Sequence, residues 1–276
     1  MSMDVYALFV SPTGNTASAV RAIARGIASK VSGGDYFSID LTPFDARRGV
    51  YDFGPDDIVI IGAPTYAGRI PNKLQPYFTD SIYGDGSVGV SVVTYGNRAY
   101  DDSLKELYSI MTDNGFDVCA ATAVCAEHAF TNSLAAGRPD DEDLAKLTEL
   151  GKRIGDKILT GKARALKSSD IPGRDMDDMK YYVPKKEDGE PASFLKAMPI
   201  TDTRLCTNCG ECKSICPMNC YKNSVSEPEG ICIKCQGCIK ACPVGAKHFE
   251  DEDFLSHVKY LEREYSEMVH EIEIFE

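Results

Sequence analysis

The chain has 276 residues, 43% of them hydrophobic, and its 42 acidic and 30 basic side chains leave a net charge of −12. That composition supports a packed core in one or two domains and argues against global disorder and against nucleic acid as a partner. No apolar run approaches the roughly 18 to 20 residues of a membrane span, and Met1 to Val10 carries no basic region ahead of its short apolar stretch, so the sequence predicts a cytoplasmic protein with no membrane partner.

Five strands are predicted in the first 160 residues: Val5 to Val10, Tyr36 to Asp40, Ile58 to Gly62, Val88 to Thr94 and Val118 to Ala126. The third is apolar at consecutive positions, as a strand buried on both faces should be. Amphipathic stretches alternate with them. Thr16 to Ser29 places Ala19, Val20, Ile23, Ala24 and Ile27 on one face, and Asp102 to Asn114 and Glu142 to Leu159 show a similar period. Alternating strands and helices predict an α/β fold with a parallel sheet covered on both sides.

The loops after three strands carry the chemistry. Ser11-Pro12-Thr13-Gly14-Asn15-Thr16 opens the first helix, where hydroxyls and free N–H groups suit a phosphate, although the same residue types are ordinary helix caps. It lacks the lysine of a nucleotide-triphosphate loop, and no GxGxxG follows a strand to make a nicotinamide site. After the third strand stands Ala63 to Pro71, with Pro64, Thr65, Tyr66, Ala67 and Gly68; after the fourth stands Thr94-Tyr95-Gly96-Asn97-Arg98-Ala99-Tyr100. All three lie at the carboxyl ends of strands, where an open doubly wound sheet of order 2-1-3-4-5 takes its ligand. Tyr66 and Tyr95 are candidates to present rings to a flat cofactor. His128, after the fifth strand, is a candidate proton relay, because imidazole titrates near neutral pH; a histidine that simply hydrogen-bonds a loop is the plainer alternative.

Residues 161–204 read as a linker rich in Gly, Pro and mixed charge, yet Tyr181, Tyr182, Phe194, Leu195 and Met198 predict that part of it packs. Nine of the eleven cysteines then fall between Cys206 and Cys242, the heart of a module predicted over 205–249. Without a secretory signal, so dense a block points to metal ligation before disulfides. Cys206-x2-Cys209-x2-Cys212-x3-Cys216-Pro217 repeats as Cys232-x2-Cys235-x2-Cys238-x3-Cys242-Pro243. Three cysteines of each half suit one iron-sulfur cluster, and the outlying Cys-Pro crosses to the other. The ligand sets are therefore Cys206, Cys209, Cys212 and Cys242 for one [4Fe-4S] cluster, and Cys232, Cys235, Cys238 and Cys216 for the second. A pair of structural zinc sites is the alternative. Cys220 fits neither set and reads as a buried thiol, and Cys119 and Cys125 as core residues.

Residues 250–276 predict an acidic C-terminal helix, capped by Asp253, with Phe254, Val258, Leu261, Tyr265, Met268 and Ile272 at three- and four-residue steps; Phe249 to Glu276 holds ten acidic and two basic residues.

The cysteine block resembles a bacterial-type ferredoxin domain with two [4Fe-4S] clusters, and most of residues 1–160 resemble a flavodoxin with a five-stranded sheet. The whole looks like the flavodoxin-ferredoxin fusions of anaerobes. That resemblance implies FMN, its phosphate on Ser11, Thr13, Gly14, Asn15 and Thr16, and its ring between the Pro64 to Gly68 loop and the loop carrying Thr94, Tyr95, Gly96, Asn97, Arg98 and Tyr100. It further implies electron transfer with redox partner proteins of ferredoxin or reductase type, within one chain or a homo-oligomer. The alternative is an FMN-dependent reductase of a small substrate supplied by the clusters, with His128, Tyr100 or Tyr66 as proton donor. Arg69 and Arg98 depart from the acidic surroundings usual near a flavodoxin flavin and predict a positive field there.

Overall fold

The computed structural model describes residues 3–31 and 33–276. In chain order the elements are β1 (Asp4–Phe9), α1 (Asn15–Ala28), β2 (Tyr36–Asp40), β3 (Tyr51–Phe53), β4 (Asp57–Pro64), α2 (Gln75–Ser81), β5 (Ile82–Gly84), β6 (Val88–Tyr95), α3 (Ser103–Asp113), β7 (Asp117–Cys125), α4 (Asp141–Leu159), β8 (Ile200–Thr201), α5 (Glu211–Ser214), α6 (Gly237–Lys240), β9 (Lys247–His248), α7 (Glu252–Tyr265) and β10 (Glu273–Phe275). The main sheet runs β10-β7-β6-β4-β1-β2, parallel except for β10. Its five long strands, counted along the chain, lie in the order 2-1-3-4-5, the flavodoxin-like arrangement.

Strand alternation divides the core. Val5, Ala7 and Phe9 face α1 and α4, while Leu8 and Val10 face α3 and α2. Ala19, Val20, Ile23, Ala24 and Ile27 of α1 are all fully buried. Gly26 and Gly151 let α1 and α4 touch through their backbones; a Cβ on Gly151 would stand 2.1 Å from the Ile23 carbonyl oxygen.

The sheet has six strands where five were expected, because the tail after α7 is extended. Glu273–Phe275 pairs antiparallel with Ala121–Ala123 along the outer edge of β7. The expected helix through Ile272 stops at Tyr265: the Asn97 side-chain amide donates to the carbonyls of Tyr265 at 2.8 Å and Met268 at 3.1 Å, and Arg138 donates to that of His270 at 2.6 Å. These contacts turn the chain toward the sheet. The alternation Glu271-Ile272-Glu273-Ile274 was its sequence signal. The cap of α7 also differs from expectation: Asp251 accepts from the Phe254 N–H at 2.9 Å, whereas Asp253 accepts from the Ser193 N–H at 2.7 Å and ties down the preceding segment.

That segment is a strap along one side of the sheet. Tyr108 donates to the Leu166 carbonyl at 2.7 Å, Lys105 to those of Ser168 and Ile171, and Asp102 accepts from the backbone and guanidinium of Arg174. Further on, the Tyr182 N–H donates to the Ala67 carbonyl at 2.8 Å.

The cysteine-rich segment is framed by β8 pairing antiparallel with β9. Its repeat extends to the backbone. Asn208, Gly210 and Asn219 adopt left-handed conformations, and so do the matching Lys234, Gln236 and Gly245. The N–H of Cys220 donates to Cys216 Sγ at 3.3 Å, and the N–H of Ala246 to Cys242 Sγ at 3.2 Å. The segment rests directly on the first loop: a Cβ on Gly237 would meet the Pro12 carbonyl oxygen at 3.1 Å. Among the described residues no helix is long and apolar enough to cross a membrane.

Candidate functional site

A cavity of about 550 Å³ opens at the carboxyl ends of β1, β4 and β6, within the size range of small-molecule sites. Of the first loop, Thr13, Asn15 and Thr16 line it; of the second, Pro64, Thr65, Tyr66, Ala67 and Gly68; of the third, Thr94, Tyr95, Gly96 and Arg98; and beyond them His128. The far wall comes from the strap, through Tyr181, Tyr182 and Phe194, from His257 and Leu261 of α7, and from Ile231 to Lys234 of the cysteine segment. Of these far-wall residues the sequence pattern marks only Cys232, and that as a cluster ligand; the aromatic side chains within 161–204 are the visible signal for the rest.

Local geometry explains each loop. Gly14, with φ of 91°, leads into α1 without a side-chain cap. Ser11 shapes the turn instead of lining the cavity, its Oγ accepting from the Ala17 N–H at 3.0 Å. Thr16 and Thr94 hydroxyls join β1's loop to β6 at 2.7 Å. Tyr66 to Arg69 is a tight turn closed by reciprocal backbone hydrogen bonds, with Ala67 and Gly68 at φ of 50° and 81°. Gly68 is required twice over, since a Cβ would also lie 2.3 Å from Asp101 Oδ2.

Several expected roles are corrected by packing. Tyr95 borders the cavity but is only 3% exposed, its ring lying against Tyr100 at 5.4 Å and His270 at 5.7 Å, so it is held in the core and does not stand free in the cavity. Asn97 and Tyr100 lie off the cavity: Asn97 is committed to the end of α7, and the Tyr100 hydroxyl donates to Glu273 Oε2 at 2.7 Å. Arg69 turns away to Glu106 and stacks on Tyr181. Arg98 lines the cavity but pairs with Asp101, 4.0 Å beneath it lying the Tyr182 ring. With both guanidiniums matched by carboxylates, the expected positive field is largely compensated.

His128 is packed over Gly96, and its Nδ1 accepts from the Phe130 N–H at 3.1 Å. Burial, helped by the nearby His257, lowers its pKa to about 4. It is therefore a neutral ring at neutral pH, not the titrating relay expected. Burial raises Tyr66 well above the usual phenol value, and the buried Tyr182 hydroxyl has no hydrogen-bond partner among the described residues.

Among the described residues all eleven cysteines are free, and no three His, Cys, Asp or Glu side chains close on a single-ion site. The thiols gather around two small pockets. Cys206, Cys209, Cys212 and Cys242 line one, with Val225 and Lys247. Cys216, Cys232, Cys235 and Cys238 line the other, with Cys220 and Tyr221. Hydrogen bonding from Cys220, whose backbone N–H donates to Cys216 Sγ, pushes the Cys216 thiol below its usual pKa. Burial opposes ionisation of Cys242, but the N–H groups of residues 244–247 outweigh it. Cys232, Ile233 and Lys234 line both the second pocket and the large cavity, so one loop separates the two.

No family model and no curated protein matches the chain. Among solved structures, a flavodoxin from the domain Archaea is similar over 57% of this chain and 99% of its own, at 18% identity and a TM-score of 0.37. A Streptococcus pneumonia flavodoxin covers 56% and 99%, at 17% and 0.39. The flavodiiron core of a Synechocystis sp. protein is similar over 58% of this chain and 37% of its own, at 17% and 0.40. The strand order and the cavity at its switch point define the class without them: a flavodoxin-like α/β domain. To it is joined a segment with an internal cysteine repeat.

Proposed function

We propose that the chain is an electron-transfer protein of anaerobic metabolism, with FMN in the large cavity, [4Fe-4S] clusters in the two cysteine pockets, and redox proteins as external partners. The observation that carries this reading is the shared wall of Cys232, Ile233 and Lys234 between the cavity and one cysteine pocket. FMN exchanges electrons in pairs and iron-sulfur clusters singly, so the combination converts between the two.

The residues present suit these groups. Thr13, Asn15 and Thr16 offer hydroxyl, amide and helix N-terminal donors to a phosphate. The Tyr66 turn lays backbone and ring along the cavity, and the unpartnered Tyr182 hydroxyl fits a polar ligand beside it. The four thiols of each pocket match the ligand sets of a two-cluster ferredoxin, and N–H groups aimed at Cys216 and Cys242 favour their thiolates. The strap and α7 supply the far wall of the cavity. A small-substrate reductase is less well supported, because His128 is neutral and Tyr100 is bonded away from the cavity, which leaves Tyr66 alone of its three named proton donors.

An anaerobic reductive titration with FMN and iron quantified tests the proposal. About one FMN and eight iron per chain, with four reducing equivalents, is the expected result. Zinc in place of iron, or no flavin, overturns it.

A further inference from the structure

The loop between the cavity and the second cysteine pocket contains an unusual lysine. Lys234 has φ of 56°, a left-handed conformation that favours Gly or Asn, and its counterpart in the repeat is Asn208 at 58°. Asn208 is exposed, whereas Lys234 is only 8% exposed. Its ammonium donates to the carbonyls of Leu195 in the strap and, at 3.0 Å, of Cys232 in its own loop. Among the described residues no carboxylate forms an ion pair with it. A buried charge is costly unless something compensates it, and a strained residue persists where the surroundings hold it in place. Lys234 combines both features in the wall common to two candidate redox sites.

We propose that Lys234 is a positioning residue whose fixed positive charge acts on both sides of this wall, favouring the more negative, reduced state of the flavin and of the adjoining cluster, while its bond to Leu195 holds the strap in place. This rests on the electron-transfer reading above. It makes the two cysteine pockets inequivalent toward the cavity: the pocket of Cys216, Cys232, Cys235 and Cys238 has this cation in the wall it shares with the cavity, whereas the pocket holding Cys209, which has its own buried Lys247, shares no lining residue with the cavity and carries the exposed, neutral Asn208 at the matching position. A positive charge close to a redox centre raises its potential, and the effect decays with distance.

The test uses the full chain, anaerobically reconstituted with FMN, iron and sulfide. Lys234→Asn keeps the left-handed backbone that Asn208 already adopts, and Lys234→Arg keeps the charge. Midpoint potentials are followed by visible absorbance for the flavin and by EPR for the clusters. The expected result is that Lys234→Asn shifts the flavin and one cluster to more negative potential and leaves the other cluster unmoved, while Lys234→Arg stays close to the wild type. Unchanged potentials, or an equal shift of all three centres, overturn the role of Lys234 and leave the electron-transfer reading standing. A wild-type chain that takes up neither iron-sulfur clusters nor FMN overturns the reading itself, and the inference with it.

Discussion

Lys240 Nζ donates to Glu127 Oε1 at 2.7 Å and to Asn132 Oδ1, joining the helix of the second cysteine triad to the loop that follows β7. The hydrogen bond from Lys240 is also the main reason the Glu127 carboxyl lies below its usual pKa. Both side chains keep some exposure, so the pair is worth about 0.2 to 1 kcal/mol, and its importance is in orientation. Lys240→Ala should therefore change global stability by less than about 1 kcal/mol. It should nevertheless speed hydrogen exchange in the Cys232 to Cys242 segment while leaving β1 and β6 unaffected. The charge-reversed double variant, Glu127→Lys with Lys240→Glu, should restore slow exchange.

His128 should remain neutral well below its ordinary titration range. Its folded-state pKa of about 4, lowered chiefly by burial, lies below the unfolded value of about 6.5. The unfolded state thus binds the extra proton first, and stability falls as pH drops from about 6.5 toward 4. Ring NMR signals titrating near 6.5 in the folded protein would contradict this.

Asp143 also loses stability as pH falls, but at lower pH and because the fold favours its charged form. Burial would raise its pKa, but the bidentate hydrogen bonds from Arg138 and the N–H of its capping partner Asp140 lower it instead. Its contribution is present above the unfolded carboxyl pKa near 3.9 and is lost as pH falls through the lower folded value. Asp143→Asn should cost about 3 kcal/mol at neutral pH, since the guanidinium is left without its partner, and the variant should lose less stability than the wild type below pH 4. Thermal unfolding across pH measures both effects.

The cysteines should separate by role. Cys242→Ala removes a thiol from the pocket of Cys206, Cys209 and Cys212, and on the proposed two-cluster reading iron should drop from about eight to about four per chain. Cys220 also lines a pocket, but its Sγ donates to the Ile231 carbonyl at 3.3 Å and its backbone N–H serves Cys216, as Ala246 serves Cys242. Cys220→Ala should therefore retain all the iron. Iron analysis after anaerobic reconstitution decides between the two outcomes.

Much of the architecture follows from local signals. Consecutive apolar residues in Ile58 to Gly62 mark a strand covered on both faces, and the period of Ala19, Val20, Ile23, Ala24 and Ile27 marks the helix packed on it. The cysteine spacing, with left-handed turn residues such as Gly210, already specifies which thiols share a loop. These are properties of short segments, set by backbone sterics and side-chain period.

Tertiary structure alone decided the rest. Asn97, Tyr95 and Tyr100 stand in a loop at the site, yet their side chains are committed to α7, the core and β10, because those partners arrive from the far end of the chain. The charge state of His128 depends on the groups that bury it, and the buried position of Lys234 on a strap nearly forty residues away in sequence. Burial and desolvation are set by non-local packing. The sequence by itself determined the five parallel strands, their loops and the cysteine repeat; only the folded chain added the sixth strand and set one loop as the wall between a cavity and a cluster of thiols, since both exist only where distant segments pack together.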